Sequence, residues 1–109
     1  MISLVVRPAA RTDQLAQALY YDIEADEELG ERFLERCGRT FATLTQFPES
    51  GAPVRSAHPA LKGVRFAPVR GFDKILVFYR FTESQVEILR VLHGARDVEA
   101  AILSQADES

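Results

Sequence analysis

Apolar residues along the first part of the chain alternate at first and then recur at helical spacing. The alternation covers Ile2, Leu4 and Val6 and predicts a short β-strand that Pro8 ends. An amphipathic helix is predicted next, because apolar residues recur at every fourth position, at Leu15, Leu19 and Ile23. Its candidate N-caps are Thr12 and Asp13. The pattern weakens over residues 25–30, where a tight connection to a second helix fits.

A longer apolar stripe predicts this second helix. Its members lie three or four positions apart over about five turns and are Leu29, Phe33, Cys37, Phe41, Leu44 and Phe47. Charged residues occupy the other faces, and Pro48 ends the helix. We expect the two helices to form an antiparallel hairpin, with Cys37 as a small core residue.

The second half of the chain reads as strands. Residues 64–69 predict a strand that lies at a sheet edge or contains a bulge, because Pro68 lies within it. Residues 74–81 are largely apolar at both odd and even positions, as expected of a central strand. Residues 82–85 predict a four-residue hairpin loop, and residues 86–92 the partner strand.

The chain closes with a short helix. Gly94 breaks the last strand, and Asp97 is a candidate N-cap for this helix. The order is therefore β-α-α-β-β-β-α: an N-terminal strand, an antiparallel helical hairpin, a three-stranded antiparallel sheet and a short C-terminal helix. Packing the hairpin on one face of the sheet gives a two-layer α+β fold. At 109 residues, we expect a single domain over residues 1–109.

Composition narrows the class of protein further. A hydrophobic share of 47% and a charged share of 27% are ordinary for a globular protein. No apolar run approaches the roughly 20 residues of a membrane span, and the N-terminus lacks the features of a signal peptide, so a cytoplasmic location without membrane contact is expected. A lone cysteine excludes an intramolecular disulfide and a cysteine-based zinc cluster.

Charge divides the chain into an acidic and a basic half. Residues 9–51 contain four basic and nine acidic side chains, a net charge of −5. Residues 52–97 contain eight basic and four acidic ones, a net charge of +4. The whole chain has a net charge of −3, which argues against a general nucleic-acid binder. The basic half instead suggests a face that meets an acidic partner.

Cations interrupt or flank the apolar strands. Burying a charge is costly unless it is paired, so each such residue faces solvent, pairs internally or meets an anionic partner. Arg80 and Arg90 could be surface-facing strand residues or could pair with an acidic helix residue or Asp97. His93 could hydrogen-bond nearby backbone, and Tyr79 could pack in the core.

Five short segments carry a family resemblance over essentially the whole chain. They are Arg32-Phe33-Leu34; Phe41, Leu44, Phe47, Pro48 and Gly51; Leu61-Lys62-Gly63-Val64-Arg65; Val77-Phe78-Tyr79-Arg80; and Arg90-Val91-Leu92-His93-Gly94-Ala95-Arg96-Asp97. The last segment is the most specific. In this order and spacing they resemble the ParE/RelE superfamily of bacterial type II toxins, and the ParE branch most.

The resemblance implies a toxin that a ParD-like antitoxin, encoded beside it, holds inactive in a toxin–antitoxin hetero-oligomer. ParE-like proteins are associated with plasmid stabilisation and with inhibition of DNA gyrase. RelE-like proteins instead cut mRNA in the ribosomal A site. The fold is shared, so the fold alone does not choose between these targets.

The ribonuclease alternative has defined chemical requirements. It needs cations for the scissile phosphate, a general base for the ribose 2′-OH and an acid for the leaving oxygen. The candidates are Arg65, Arg80 and Arg90 for the phosphate and Tyr79 or His93 for proton transfer. The negative net charge argues against this chemistry, and so does the acidic, apolar C-terminal segment, which has no His or Tyr after His93.

We therefore expect a binding protein, without cofactor or metal and without direct DNA binding, that inhibits gyrase and blocks replication. An acidic antitoxin segment would occupy a sheet edge or the groove beside the hairpin. The residues expected to contact target or antitoxin are Arg65, Arg70, Arg80, Arg90, His93 and Arg96. A ribosome-dependent endoribonuclease remains open, as does a toxin fold that has lost its poison and survives as a binding partner.

Overall fold

The computed structural model describes residues 2–94 and 97–108, with side chains described as far as Leu103. Five strands and three α-helices lie within these residues: β1 (Ser3–Val6), α1 (Pro8–Glu24), α2 (Glu27–Gln46), β2 (Ala52–Pro53), β3 (Arg65–Val69), β4 (Phe72–Phe81), β5 (Gln85–His93) and α3 (Val98–Glu108). Two short 3₁₀ turns, Pro48–Ser50 and Pro59–Leu61, flank β2. No helix in this part of the chain is long and apolar enough to cross a membrane.

The strands form one sheet in the order β1-β5-β4-β3-β2. The predicted three-stranded antiparallel sheet is confirmed as β3-β4-β5, with β4 at the centre. β1 joins it parallel to β5, and β2 pairs with β3 at the other edge. Strand β2 was not predicted, because a strand of two residues is too short to show an alternation of apolar and polar positions. A register shift between Pro68 and Val69 shows the bulge that the sequence offered as one explanation for Pro68.

The helical hairpin packs on one face of the sheet, as predicted. Phe33, Cys37, Phe41 and Leu44 of α2 are at most 2% exposed and belong to the core under the hairpin. Asp26 accepts a hydrogen bond from the Leu29 amide and caps this helix. The helical prediction was wrong at its end, because Phe47 follows the last residue of α2 and is 62% exposed.

The first helix differs from its prediction in both start and orientation. Pro8 is its first residue, since a proline is favoured at this position, so neither Thr12 nor Asp13 is an N-cap. The buried face consists of the small or polar residues Ala10, Gln14 and Ala18. The predicted apolar face, Leu15, Leu19 and Ile23, is instead 62%, 58% and 72% exposed.

Close approach of the two helices explains the choice of face. The predicted connection over residues 25–30 is only two residues long, and Gly30 already lies inside α2. A Cβ atom on Gly30 would lie 2.8 Å from the Ala18 carbonyl oxygen and against the Asp22 carboxylate, so a side chain does not fit there. Gly30 therefore lets α2 approach the backbone of α1 closely, and the α1 residue buried at this contact is the small Ala18.

The second face of the sheet is also covered. A smaller core on that face contains Leu61, Val64, Phe78, Leu89, Leu92 and Ile102. Ile102 belongs to α3, which begins as predicted after Asp97, whose carboxylate accepts a hydrogen bond from the Ala100 amide at 3.1 Å. The two-layer arrangement thus has an additional partial layer, formed by α3 and the loop that precedes β3.

Candidate functional site

Arg90 and Asp13 form a two-point ion pair between β5 and α1. Arg90 Nε lies 2.7 Å from Asp13 Oδ2, and Arg90 Nη2 lies 2.8 Å from Asp13 Oδ1. The two side chains are only 17% and 13% exposed. Arg90 Nη1 also donates to the carbonyl oxygen of Ala101 in α3, at 3.0 Å. One guanidinium therefore joins the first helix, the last strand and the last helix.

This ion pair lies at the edge of the sheet that β1 covers only in part. β1 pairs with β5 only as far as Ile88, so the outer edge of β5 continues beyond it. There, the Val91 amide donates to Asp13 Oδ2 at 3.0 Å, and the carboxylate takes the place of a neighbouring strand. A register shift places Phe78 opposite Arg90 but Tyr79 opposite Ile88, so β5 contains an extra residue at Leu89.

Arg80 is held by a carboxylate that serves two cations. Glu87 accepts from Arg80 Nε at 2.7 Å and from Arg7 Nη1 at 2.9 Å. Burial alone raises the pKa of Glu87, but the hydrogen bonds and charges of Arg80 and Arg7 outweigh it and hold this pKa below its ordinary value. The Arg80 side chain is 50% exposed, so one side of it remains open to solvent.

Tyr79 and Arg65 are opposite each other on β4 and β3, and both hold the turn after α2. The Tyr79 hydroxyl donates to the Pro48 carbonyl at 2.6 Å and accepts from the Gly51 amide at 2.9 Å. Arg65 Nη1 donates to the carbonyls of Glu49 and Gly51 at 3.2 and 2.7 Å. Burial raises the pKa of Tyr79 against the opposing effects of Gly51 and Arg65, so the phenol stays protonated at neutral pH.

His93 is exposed at the end of β5, beside the hairpin. It lines a groove of about 200 Å³ between the end of this strand and α1, whose other lining residues are Asp13, Ala16, Gln17, Tyr20, Val91 and Leu92. A second, more apolar cavity of about 450 Å³ lies at the far end of α2, lined by Gln46, Phe47, Pro48, Glu49, Ser50 and Phe81. The first of these cavities lies beside the hairpin.

Of the two remaining candidate cations, the structure describes Arg70. Arg70 is exposed in the β3–β4 turn, and its amide donates to Thr40 Oγ1 of α2 at 3.1 Å. Arg96 lies outside the described residues. Among the side chains that the structure describes, in residues 2–94 and 97–103, no group of three or more His, Cys, Asp or Glu lies close enough together to hold a metal ion.

Sequence reasoning missed two acidic residues that organise the candidate site. Asp13 was assigned to a helix cap, although Pro8 as the first helical residue would have placed it on the second turn. Glu87 was counted only as a charge. For Arg90, the structure shows one of the alternatives considered, pairing with an acidic helix residue.

Comparisons with known proteins agree with the fold. Residues 4–98 match the family model for the ParE toxin of the type II toxin–antitoxin system parDE. A solved structure of the chromosomal ParDE system from P. aeruginosa is similar, with a TM-score of 0.70 and 22% identity over 85% of this chain and 96% of that one. A YoeB/ParE toxin from Agrobacterium tumefaciens gives a TM-score of 0.58 and 14% identity over 84% of this chain and 98% of that one.

A search of curated protein sequences gave no significant match. At 22% and 14% identity, the two solved structures support the fold alone. The match to the family model is evidence for family membership as well as for the fold, because it covers most of the chain, from the first strand to the start of α3. This chain therefore belongs to the ParE toxin family of type II toxin–antitoxin systems.

Proposed function

We propose that this protein is neutralised by a ParD-like antitoxin and that, once free, it stops growth by binding and inhibiting DNA gyrase. The observation that carries this proposal is that four of the five candidate catalytic side chains have structural roles in the fold. Tyr79 and Arg65 hold the turn after α2, Arg80 is bound by Glu87, and Arg90 joins α1, β5 and α3. These structural roles account for the four residues without requiring that they catalyse a reaction.

The environment of Tyr79 also argues against its use as a general base in RNA cleavage. A general base that acts near neutral pH needs a pKa close to 7. Burial moves the pKa of Tyr79 upward, away from that range, and its proton is donated to the Pro48 carbonyl. Tyr79 is also 0% exposed, so a ribose hydroxyl could reach it only after the turn had moved.

The antitoxin would bind beside the hairpin and across the basic half of the chain. The groove between α1 and the end of β5 borders the part of the sheet edge that β1 leaves uncovered. An amphipathic helix fits such a groove, whereas an added strand would have to displace Asp13 from the Val91 amide. Exposed cations on the described part of the basic half would attract an acidic segment, and these are Arg55, Lys62, Arg70, Lys74 and Arg80.

Pulse labelling after induced expression without antitoxin tests the target. DNA synthesis should stop before protein synthesis, and transcripts should stay intact. If protein synthesis stops first and mRNA is cut at codon boundaries, the result would favour the ribosome-dependent endoribonuclease instead. Normal growth despite full-length soluble toxin would favour a fold that has lost its poison.

The antitoxin contact is tested separately by charge reversal. Arg70→Glu should slow association with the antitoxin, with a larger effect at low salt, because exposed charges steer encounter. Arg32→Glu makes the same charge change at an exposed position of the acidic half and is the matched control. Equal association rates for the two variants would argue against binding across the basic half.

A further inference from the structure

The cavity at the far end of α2 combines an apolar lining with an exposed aromatic side chain. Phe81 of β4 lines one part of it, and residues 46–50, at the end of α2 and in the turn that follows, line the rest. Its volume of about 450 Å³ is within the range of sites that bind a ligand of a few side chains in size. Phe47 lines this cavity although it is 62% exposed.

The turn that forms this lining is fixed from two sides. The Tyr79 hydroxyl bonds the Pro48 carbonyl and the Gly51 amide, and the Arg65 guanidinium bonds the carbonyls of Glu49 and Gly51. Either side chain alone still holds part of the turn. A cavity that is held in place before binding costs less entropy to fill than one that must first be ordered.

This cavity is separate from the groove between α1 and the end of β5. The two have no lining residue in common. Phe81 is paired with Val86, near the start of β5, whereas the groove is lined by His93 at its end. Seven strand residues separate these positions, which corresponds to roughly 20 Å. A partner could therefore contact one of these sites without reaching the other.

Acidic side chains at the cavity distinguish between possible occupants. Glu49 is exposed in the lining, and Glu83 is exposed at the tip of the β4–β5 hairpin, two positions beyond Phe81. Neither carboxylate forms an ion pair with a cation among the described side chains. A second copy of the chain would bring like charges together here, and so would an acidic antitoxin segment. The cavity is instead complementary to an apolar side chain with a cation beside it.

We propose that this cavity binds an apolar side chain of DNA gyrase, from a segment in which Lys or Arg is next to that side chain. This assignment rests on the proposed function, because it takes gyrase as the target, and it adds the surface of the toxin that makes the contact. Phe47 provides the apolar anchor, as aromatic residues often do at interfaces. Glu49 attracts the neighbouring cation and contributes to selectivity.

Inhibition of gyrase supercoiling by purified variants tests the role of Phe47. Phe47→Ser should require at least about tenfold more toxin than wild type for the same inhibition, because it removes the anchor. Leu34→Ser, at a 36% exposed position on α2, is the matched control and should inhibit like wild type. Binding of each variant to the cognate antitoxin, measured in parallel, should be unchanged.

Two further measurements test the chemistry of the occupant. Glu49→Gln should weaken inhibition about threefold at low salt and less at high salt, whereas Glu28→Gln, at an exposed position of α2, should have no effect. A photo-reactive p-benzoylphenylalanine in place of Phe47 should form a crosslink to gyrase, within a segment that contains Lys or Arg. Both measurements are independent of whether Phe47→Ser folds.

The possible outcomes separate this site from the proposed function. If wild type inhibits gyrase and Phe47→Ser inhibits equally well, the site is wrong and gyrase remains the target. Normal inhibition by Phe47→Ser with weakened antitoxin binding, or a crosslink to the antitoxin alone, would assign the cavity to the antitoxin instead. Unchanged inhibition by Glu49→Gln without a gyrase crosslink would also overturn the site. If wild type leaves supercoiling unaffected, the proposed function fails, and the assigned occupant fails with it.

Discussion

Asp13 and Arg90, which lie 77 positions apart in the chain, form a bidentate ion pair with both distances below 2.9 Å. The pair links the helix that follows the first strand to the strand that precedes the last helix. Because the same carboxylate also accepts from the Val91 amide, removing it would leave two groups without this partner. Most of both side chains is shielded from water, so removing one partner costs more than breaking a surface salt bridge does.

Asp13→Ala should lower the free energy of unfolding by about 3 kcal/mol, because it leaves a largely buried guanidinium without its carboxylate. Urea denaturation monitored by circular dichroism measures this. Glu35→Ala breaks the exposed pair with Arg39, whose side chains are 52% and 63% exposed, and should cost no more than about 0.5 kcal/mol. Similar losses in the two variants would show that the Asp13–Arg90 pair does not hold the fold.

Tyr79→Phe should reduce stability by about 1–2 kcal/mol, since it removes the hydrogen bonds to Pro48 and Gly51. Tyr20→Phe, at a 55% exposed position, is the control and should change stability little. Under the binding account, folded Tyr79→Phe still arrests growth. A stable Tyr79→Phe protein that has lost all toxicity would instead point to a chemical role for the phenol.

Glu87 gives the protein an acid-sensitive contribution to stability. Its pKa in the folded state is below the ordinary value of 4.5, so folding favours the ionised carboxylate. This stabilisation is complete above that ordinary value and is lost as the pH falls through the lower, folded-state pKa. Glu87→Gln should cost about 1 kcal/mol at pH 7 and reduce the dependence of unfolding free energy on pH below 4.5. An unchanged pH profile would contradict this assignment.

The thiol of Cys37 should be almost inert in the folded protein. Burial raises its pKa to about 11, although Gln14 and Arg11 act in the opposite direction, and the side chain is 0% exposed. Only about 0.1% of such thiols would be ionised at pH 8, and those remain shielded. Labelling by a thiol reagent should therefore be at least about 100-fold slower than in urea-unfolded protein. Rapid labelling under native conditions would contradict this burial.

Several parts of the fold could be predicted because one local signal decided each of them. The stripe of Phe33, Cys37, Phe41 and Leu44 has the period of a helix and packs on the sheet. Asp97 caps α3 as its position suggested. The helix face that α1 buries could not be predicted in the same way. Hydrophobicity selects the largest side chains, whereas α1 buries the small Ala18 where α2 approaches its backbone closely at Gly30.

The candidate site was harder to predict because it depends on register. Arg65 is opposite Tyr79 in the β3–β4 register, and Arg80 is opposite Glu87 because β5 contains an extra residue near Leu89. No local sequence pattern predicts that bulge. The candidate cations could be identified from the sequence, but their acidic partners could not. The partner determines whether a cation stabilises the fold or can bind another molecule.

The most direct test of gyrase as the target is a supercoiling assay with the purified toxin. Increasing amounts of wild-type protein should inhibit supercoiling of relaxed plasmid, folded Tyr79→Phe should inhibit equally, and the cognate antitoxin should restore the reaction. A parallel translation reaction should contain intact mRNA. Unaffected supercoiling and gyrase-dependent DNA cleavage at large toxin excess, with mRNA cut in the parallel reaction, would contradict the central claim that this toxin acts by binding gyrase.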